Sequence, residues 1–294
     1  MKNLTNQIER VGLVANRDKP DVAAATRAAG RLLRRRGVAV LADADTAALA
    51  GLRDATCATV AALAHECDLL LALGGDGTML RVARATAGTR TPILGVNLGT
   101  LGFLTTCQAR ELKSTLDRVF AGECLVDCRS LIQARLAGPD GEQRELALND
   151  FVISRGATPR LIELAVKVDG APLTRYRGDG LIVSSPTGST AYSLAAGGAV
   201  VSPQADVFAL TPICPHTLSN RSVIVNLRAT IEVRLLTEGV ETFLSADGQP
   251  GVPVAAGARL LIRRSRHHAC LVRLPGASFF QTLSQKMNWS GTAV

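Results

Sequence analysis

The run Leu69-Leu70-Leu71-Ala72-Leu73 followed at once by Gly74-Gly75-Asp76-Gly77-Thr78 constrains this chain more than any other stretch. Five consecutive apolar residues predict a short, fully buried strand. Thr78 is then placed to cap a helix over residues 78–87, with Met79, Val82 and Ala83 on its apolar side. A glycine turn at the carboxyl end of a buried strand is where open α/β sheets bind ligands. Glycines let backbone N–H groups approach phosphate oxygens, and a helix N-terminus favours anions. A carboxylate in such a turn repels phosphate, so Asp76 makes chemical sense as a proton acceptor or a metal ligand. The other reading is a tight strand-to-helix turn with an Asp cap. The stretch is not a Walker A loop, because the Lys-Ser/Thr ending is absent. Nor is it the dinucleotide fingerprint, because Leu80 stands in place of the third glycine.

The rest of the first third alternates in the same way. Strands are expected over 11–15, 38–42 and 93–96. Helices are expected from Pro20-Asp21 to about Arg36, over 59–66, and over 109–120. That order predicts a parallel sheet with helices on both sides. After Gly122 the texture changes to period-two alternation, with strands expected over 130–136, 144–155, 161–168, 181–184, 223–226, 231–236, 242–246, 259–263 and 269–274. Pro139-Asp140-Gly141 and Asp169-Gly170 read as hairpin turns. The expected architecture is therefore an α/β, Rossmann-like N-terminal domain over 1–124 and an all-β sandwich over 125–274. A C-terminal helix over 279–289 makes 275–294 return to the first domain.

Composition bounds the function classes. The chain has 294 residues, 47% of them hydrophobic, enough for two domains with real cores. No apolar run reaches membrane-span length, and the polar Met1–Arg10 start has no signal core, which points to the cytoplasm. The seven cysteines show no Cys-x-x-Cys spacing and the four histidines no metal motif, so they read as reduced thiols with no protein metal site. His267-His268, among Arg263, Arg264 and Arg266, reads as a solvated basic segment. Net charge is +8, and Arg31, Arg34, Arg35 and Arg36 form a cluster on a helix face. Aromatics make up only 3%, which argues against nucleic-acid stacking and for small anionic substrates.

A second informative stretch runs from Arg177 to Gly198. A strand leads into a loop with hydroxyls at 184, 185, 187, 189, 190, 192 and 193, more than local backbone is expected to satisfy. They suit a polyhydroxyl or phosphate ligand, or else a Ser/Thr-rich turn over a small-residue helix. No Gly-x-Ser-x-Gly elbow surrounds Ser189, so acyl transfer is not indicated. Asn149-Asp150 suits a ribose or base edge, or an Asx turn. Asp247-Gly248-Gln249 reads as a turn.

Taken together, these residues resemble the bacterial NAD kinase family. The resemblance rests on Gly74-Gly75-Asp76-Gly77-Thr78 and on Asn97-Leu98-Gly99-Thr100-Leu101-Gly102-Phe103-Leu104. It continues through Asn149-Asp150, Asp179-Gly180, Ser185-Pro186-Thr187-Gly188-Ser189-Thr190-Ala191-Tyr192-Ser193, Pro215-His216-Thr217-Leu218 and Asp247-Gly248-Gln249, in the family's order. The first motif is shared with diacylglycerol-type lipid kinases; the long motif after Asp179 is specific to NAD kinases. The resemblance implies ATP-dependent phosphorylation of the 2′-hydroxyl on the adenosine ribose of NAD, giving NADP. It implies Asp76 as proton acceptor, with Gly77 and Arg81 lining the same pocket. It further implies NAD contacts by Asn149, Asp150, Arg160, Arg177, Asp179, Thr190, Ala191, Tyr192, Ser193 and Gln249. A divalent cation, Mg²⁺, would be bound through the ATP phosphates, and the protein would be a homo-oligomer, dimer or tetramer. Two positions depart from the family pattern: Asp150 replaces a common Glu, and Gly178 a common Ser. An arginine at 177 is similar to members that prefer NAD over NADH. The competing readings are a lipid kinase sharing only the first motif and a non-catalytic NAD(P)-binding regulator, which would need no aspartate at 76.

Overall fold

A computed structural model describes residues 2–3, 8–19, 21–52, 56–57, 59–100, 102–138, 141–216 and 221–289. It divides into two compact units, one of residues up to Arg129 together with those from His267 on, the other Ser130–Arg266. Both crossings fall inside long strands, Leu125–Gly138 and Arg259–Arg273, whereas the change of texture in the sequence places the limits near 124 and 275.

The first unit is the expected α/β domain. Its parallel strands lie in the spatial order Ile93–Asn97, Leu69–Gly74, Arg10–Ala15, Ala39–Asp43 and Thr56–Cys57. In chain order this is 5-4-1-2-3, the doubly wound arrangement, whose direction reverses between the first and fourth strands. The strand Leu69–Gly74 is buried throughout, because helices cover both of its faces. Each buried leucine there contributes about 1.5–3 kcal/mol. The C-terminal helix Phe279–Lys286 belongs to this unit, and the Phe279 ring lies 6.1 Å from that of Phe103.

The second unit is a sandwich of antiparallel strands. One sheet runs in the order Val223–Asn226, Val207–Ile213, Gly180–Ser184, Asp150–Arg155, Thr242–Ala246, Val252–Pro253. The facing layer contains Ala171–Gly178, Ile162–Val168, Ile231–Leu235 and the first part of Arg259–Arg273. Phe151, Leu181, Val183, Phe208 and Leu244 from one layer pack with Leu164, Val166, Ile231, Val233 and Ile262 from the other. Among the described residues no helix is long and apolar enough to cross a membrane.

Several local expectations are corrected. The helix after the glycine turn is Asp76–Ala85, capped by Gly75, so Asp76 is its first residue and Thr78 lies inside it. The expected strand over 144–155 is two strands, Gly141–Ala147 and Asp150–Arg155, broken at Leu148 and Asn149. The expected strands over 259–263 and 269–274 are one, and His267 and His268 sit half-buried within it rather than in a solvated segment. Among the longer elements, three carry too little signal to be anticipated. The helix Ala44–Ala50 is short and alanine-rich, the strand Ala171–Gly178 is largely exposed, and the strand Val207–Ile213 contains Pro212. Pro20, Pro139, Asp140, Thr217 and Leu218 lie outside the described residues.

Candidate active site

Asp76 stands at the switch point of the parallel sheet, immediately after its fourth strand. As the first residue of a helix, its charge is favoured by the helix dipole by about 0.3–1 kcal/mol. Its carboxylate is held from outside the helix. Oδ2 accepts the N–H of Phe103 at 2.8 Å, and Oδ1 accepts the N–H of Leu104 at 3.1 Å. Those two N–H groups occupy one acceptor site on each oxygen and leave one on each.

The segment that supplies them is itself knitted by two buried side chains. Asn97 donates to the Thr100 carbonyl at 2.9 Å and to the Thr105 hydroxyl at 3.3 Å, and it accepts the N–H of Gly99. Thr105 accepts the N–H of Gly102 at 3.2 Å. A Cβ on Gly102 would lie 2.0 Å from Asp76 Oδ1, so glycine at 102 is what lets the carboxylate approach this backbone. Gly77 is exposed, with open space where a side chain would begin. Arg81 lies four residues on, on the same helix face as Gly77. It donates to the Ala15 carbonyl at the end of the first strand at 2.9 Å.

In the second unit, Asp247 organises the region around Asn149. Asp247 (φ +50°) and Gly248 (φ +70°) form a turn, as expected. The turn also does something its sequence did not signal. The Asp247 carboxylate accepts three successive backbone N–H groups, from Leu148 at 3.0 Å, Asn149 at 2.7 Å and Asp150 at 3.3 Å. This is why the expected long strand breaks there. Asp150 is buried against this carboxylate. Burial first, and the Asp247 charge second, push its carboxyl up to about 7. Gln249 is exposed at the end of the same turn.

The hydroxyl-rich loop lies on Asn149. Its carbonyl accepts the Ser185 N–H at 2.8 Å, and a Cβ on Gly188 would lie 2.2 Å from that oxygen. The hydroxyls themselves mostly turn inward, contrary to expectation. Ser184 bonds to the Ser185 carbonyl, Ser185 to that of Leu148, Ser189 to that of Pro186, and Ser193 to the Thr211 hydroxyl at 2.9 Å. Ser193 is fully buried, so its hydroxyl serves the loop rather than an open surface. Thr190 and Ala191 are half-buried, and Tyr192 is 47% exposed.

Asp179 is paired with Arg155, whose Nε donates to Oδ1 at 2.6 Å. Arg155 also donates to the Thr158 carbonyl at 2.9 Å, tying Asp179 to the segment that carries the exposed Arg160. Sequence reasoning missed Arg155, and only its place beside the Asn149-Asp150 motif could have drawn attention to it. Arg177 is exposed on the strand Ala171–Gly178, opposite Glu163, and its carbonyl accepts the His216 N–H. The glycine at 178 has a local cause, since a Cβ there would meet the Ile213 carbonyl at 2.7 Å. A cavity of about 640 Å³ in this unit, lined by Leu136, Val240, Phe243 and Val254 among others, includes none of the residues singled out from the sequence. Among the described residues, no group of three or more His, Cys, Asp or Glu side chains is arranged to hold a metal ion.

Comparison with known proteins gives a consistent result. Residues 11–124 match the ATP-NAD kinase N-terminal domain family, and residues 148–274 match the ATP-NAD kinase C-terminal domain family. The chain is 43% identical to the NAD kinase of Moorella thermoacetica, over 97% of this chain and 91% of that protein. It is 40% identical to the NAD kinase of Symbiobacterium thermophilum, over 96% and 99%. Among solved structures, yeast NADH kinase complexed with NADH superposes with a TM-score of 0.86 at 27% identity, covering 99% of this chain and 90% of that one. An NAD kinase from Archaeoglobus fulgidus in complex with ATP gives 0.74 at 28% identity, covering 96% and 100%.

Proposed function

The chain belongs to the NAD kinase family, and from that membership we propose how its residues carry out the reaction. It is a phosphotransferase that moves the γ-phosphoryl group of ATP to the 2′-hydroxyl of the adenosine ribose of NAD, giving NADP and ADP. The hydroxyl oxygen forms the new P–O bond, the bond to the bridging oxygen of ATP breaks, and the hydroxyl proton departs.

Asp76 takes that proton. A carboxylate is a far weaker base than the alkoxide of a sugar hydroxyl, so it cannot strip the proton early. It orients the hydroxyl by a charge-assisted hydrogen bond and accepts the proton late, as the P–O bond forms. The observation that supports this role is the carboxylate's double anchorage to Phe103 and Leu104 with one acceptor site left on each oxygen. The N–H groups fix its direction without using up its capacity to accept.

Gly77 leaves room beside Asp76, and Arg81 supplies positive charge on the same helix face. In the second unit, Asn149, Asp150 and Gln249 surround the Asp247 turn, and we assign them to the dinucleotide's polar edges. Thr190, Ala191 and Tyr192 serve its adenosine half, with Ser193 acting from within the loop. Arg160, Arg177 and Asp179 face the remainder, Asp179 oriented by Arg155. The divalent cation, Mg²⁺ in this reading, is bound mainly through the ATP phosphates and water. Cytoplasmic location and assembly into a homo-oligomer belong to the same proposal; cell fractionation and light scattering test them.

The deciding experiment is incubation of purified protein with ATP, Mg²⁺ and NAD, with an assay for NADP. Formation of NADP is expected. No NADP with any divalent cation defeats the reading, and phosphorylation of a diacylglycerol instead of NAD would favour the lipid-kinase alternative.

A further inference from the structure

We propose that Arg273 is a positioning residue for the Asp76 carboxylate, acting through the peptide that joins Phe103 to Leu104, with the helix Phe279–Lys286 as its second support. The proposal rests on the role of Asp76 given above.

Phe103 is engaged at every group it has. Its N–H donates to Asp76 Oδ2 at 2.8 Å. Its carbonyl accepts Nη1 of Arg273 at 3.2 Å. Its ring lies 6.1 Å from that of Phe279, and the Lys286 ammonium sits 5.8 Å from its centroid. A second tie runs alongside, from the Thr106 hydroxyl to the Val272 carbonyl at 2.7 Å. The segment that fixes Asp76 is thus fastened to the end of the strand Arg259–Arg273 and to the C-terminal helix.

The Phe103 carbonyl and the Leu104 N–H are the two ends of one peptide group. A cation bonded to the oxygen polarises the N–H at the other end, and hydrogen bonds in series strengthen one another. That N–H is the donor to Asp76 Oδ1 at 3.1 Å. The chain of contacts therefore reads Arg273 guanidinium, Phe103 carbonyl, Leu104 N–H, Asp76 carboxylate.

The charges nearby favour this use of Arg273. Asp127 Oδ2 accepts both the Nε–H of Arg129 at 2.8 Å and its Nη2–H at 2.6 Å, in a pair that is almost wholly buried. The same carboxylate acts on Arg273 as a nearby opposite charge. Burial first, and the Arg129 charge second, lower the Arg273 guanidinium below its ordinary range, with Asp127 opposing. A partly buried cation needs acceptors, and the Phe103 carbonyl provides one.

The test is a double-mutant cycle in the 294-residue chain. Arg273→Met is expected to lower kcat about 10–100-fold, the usual cost of misplacing a reacting group by about an ångström. KM for NAD and for ATP should stay within about twofold, because substrate contacts are untouched. Arg273→Lys, which can still donate to the carbonyl, should recover most of the loss. In the Asp76→Asn background, Arg273→Met should cost less than about twofold further, because the group it positions is gone. A kcat for Arg273→Met within twofold of the parent overturns the proposal. So does an equal fold-loss in both backgrounds, which marks a merely structural role. Should Arg273→Met fail to fold, Phe279→Leu takes its place in the cycle, with an expected 3–10-fold loss confined to kcat and the same two overturning results. If the parent makes NADP and Asp76→Asn lowers its turnover by about 10²-fold or more, a neutral Arg273→Met defeats the positioning alone. If Asp76→Asn keeps full turnover, the assignment of Asp76 fails first.

Discussion

Asp247 Oδ1 accepts the backbone N–H of Asn149 at 2.7 Å, joining two residues 98 positions apart in the chain. The same carboxylate holds Leu148 and Asp150, so one side chain closes the break between two strands. Hydrogen bonds to a charged group contribute about 1.5–3 kcal/mol, and orphaned buried donors cost about 1–3 kcal/mol. Asp247→Ala is therefore expected to destabilise the protein by about 2–4 kcal/mol. Urea unfolding of the two proteins measures it, and a loss below about 0.5 kcal/mol would show that the carboxylate does not hold this segment.

The Asp150–Asp247 neighbourhood makes stability depend on pH. Burial and the Asp247 charge raise the Asp150 carboxyl to about 7, above the value of about 3.9 expected in the unfolded chain. Between those values the folded state holds a proton that the unfolded state releases. The stability this group contributes is full below about pH 4 and is lost as pH rises through about 7. Asp150→Asn removes the titration. From about pH 5 to pH 8 the unfolding free energy should fall by about 2 kcal/mol more in the parent than in the variant, and equal falls would refute the assignment.

Asp76→Asn keeps the shape of the side chain and removes its basicity. Turnover should drop by about 10²–10⁴-fold, the worth of a positioned acid or base, while NAD binding persists. Steady-state kinetics together with calorimetric binding of NAD separate the two effects. Near-parental turnover would remove Asp76 from proton transfer.

Gly102→Ala places a Cβ 2.0 Å from Asp76 Oδ1 in the present geometry, so the carboxylate must move. Displacement of about an ångström at a reacting group costs up to about 10²-fold in rate. The variant should lose kcat by at least tenfold and change the unfolding free energy by less than about 1 kcal/mol, since the moving atoms are the end of one side chain. A fully active variant would mean that the carboxylate position is not critical.

Tyr192 is the exposed aromatic of the hydroxyl-rich loop. Tyr192→Ala should weaken NAD binding by about 0.5–1.5 kcal/mol, as expected for loss of a ring contact, with little effect on ATP. An effect confined to the apparent constant for ATP would move this loop to the other substrate.

How much of this was legible in the chain depended on how local the cause was. The buried strand at Leu69–Gly74 could be read because five apolar residues have no other stable environment. The Asp169-Gly170 hairpin was legible because both residues take positive φ, +49° and +83°. The start of the Asp76 helix was misplaced by two residues. Thr78 looks like a cap, but Gly75 occupies that position. The hydroxyls at 184, 185, 189 and 193 were read as ligand contacts because a list of hydroxyls does not show which carbonyls fold back to meet them.

By itself, then, the sequence determined the class of each domain, the position of Asp76 at the end of a central parallel strand, and the family. All of these rest on apolar periodicity and on motifs of contiguous residues. Tertiary structure alone decided what surrounds each functional group. Asp76 is aimed by N–H groups 27 and 28 residues away, and the Asn149 segment is shaped by a carboxylate about a hundred residues later. The physical reason is that backbone N–H groups are the same for nearly every residue type. Which carboxylate they meet is set by the packing of strands and turns, and no residue type records it.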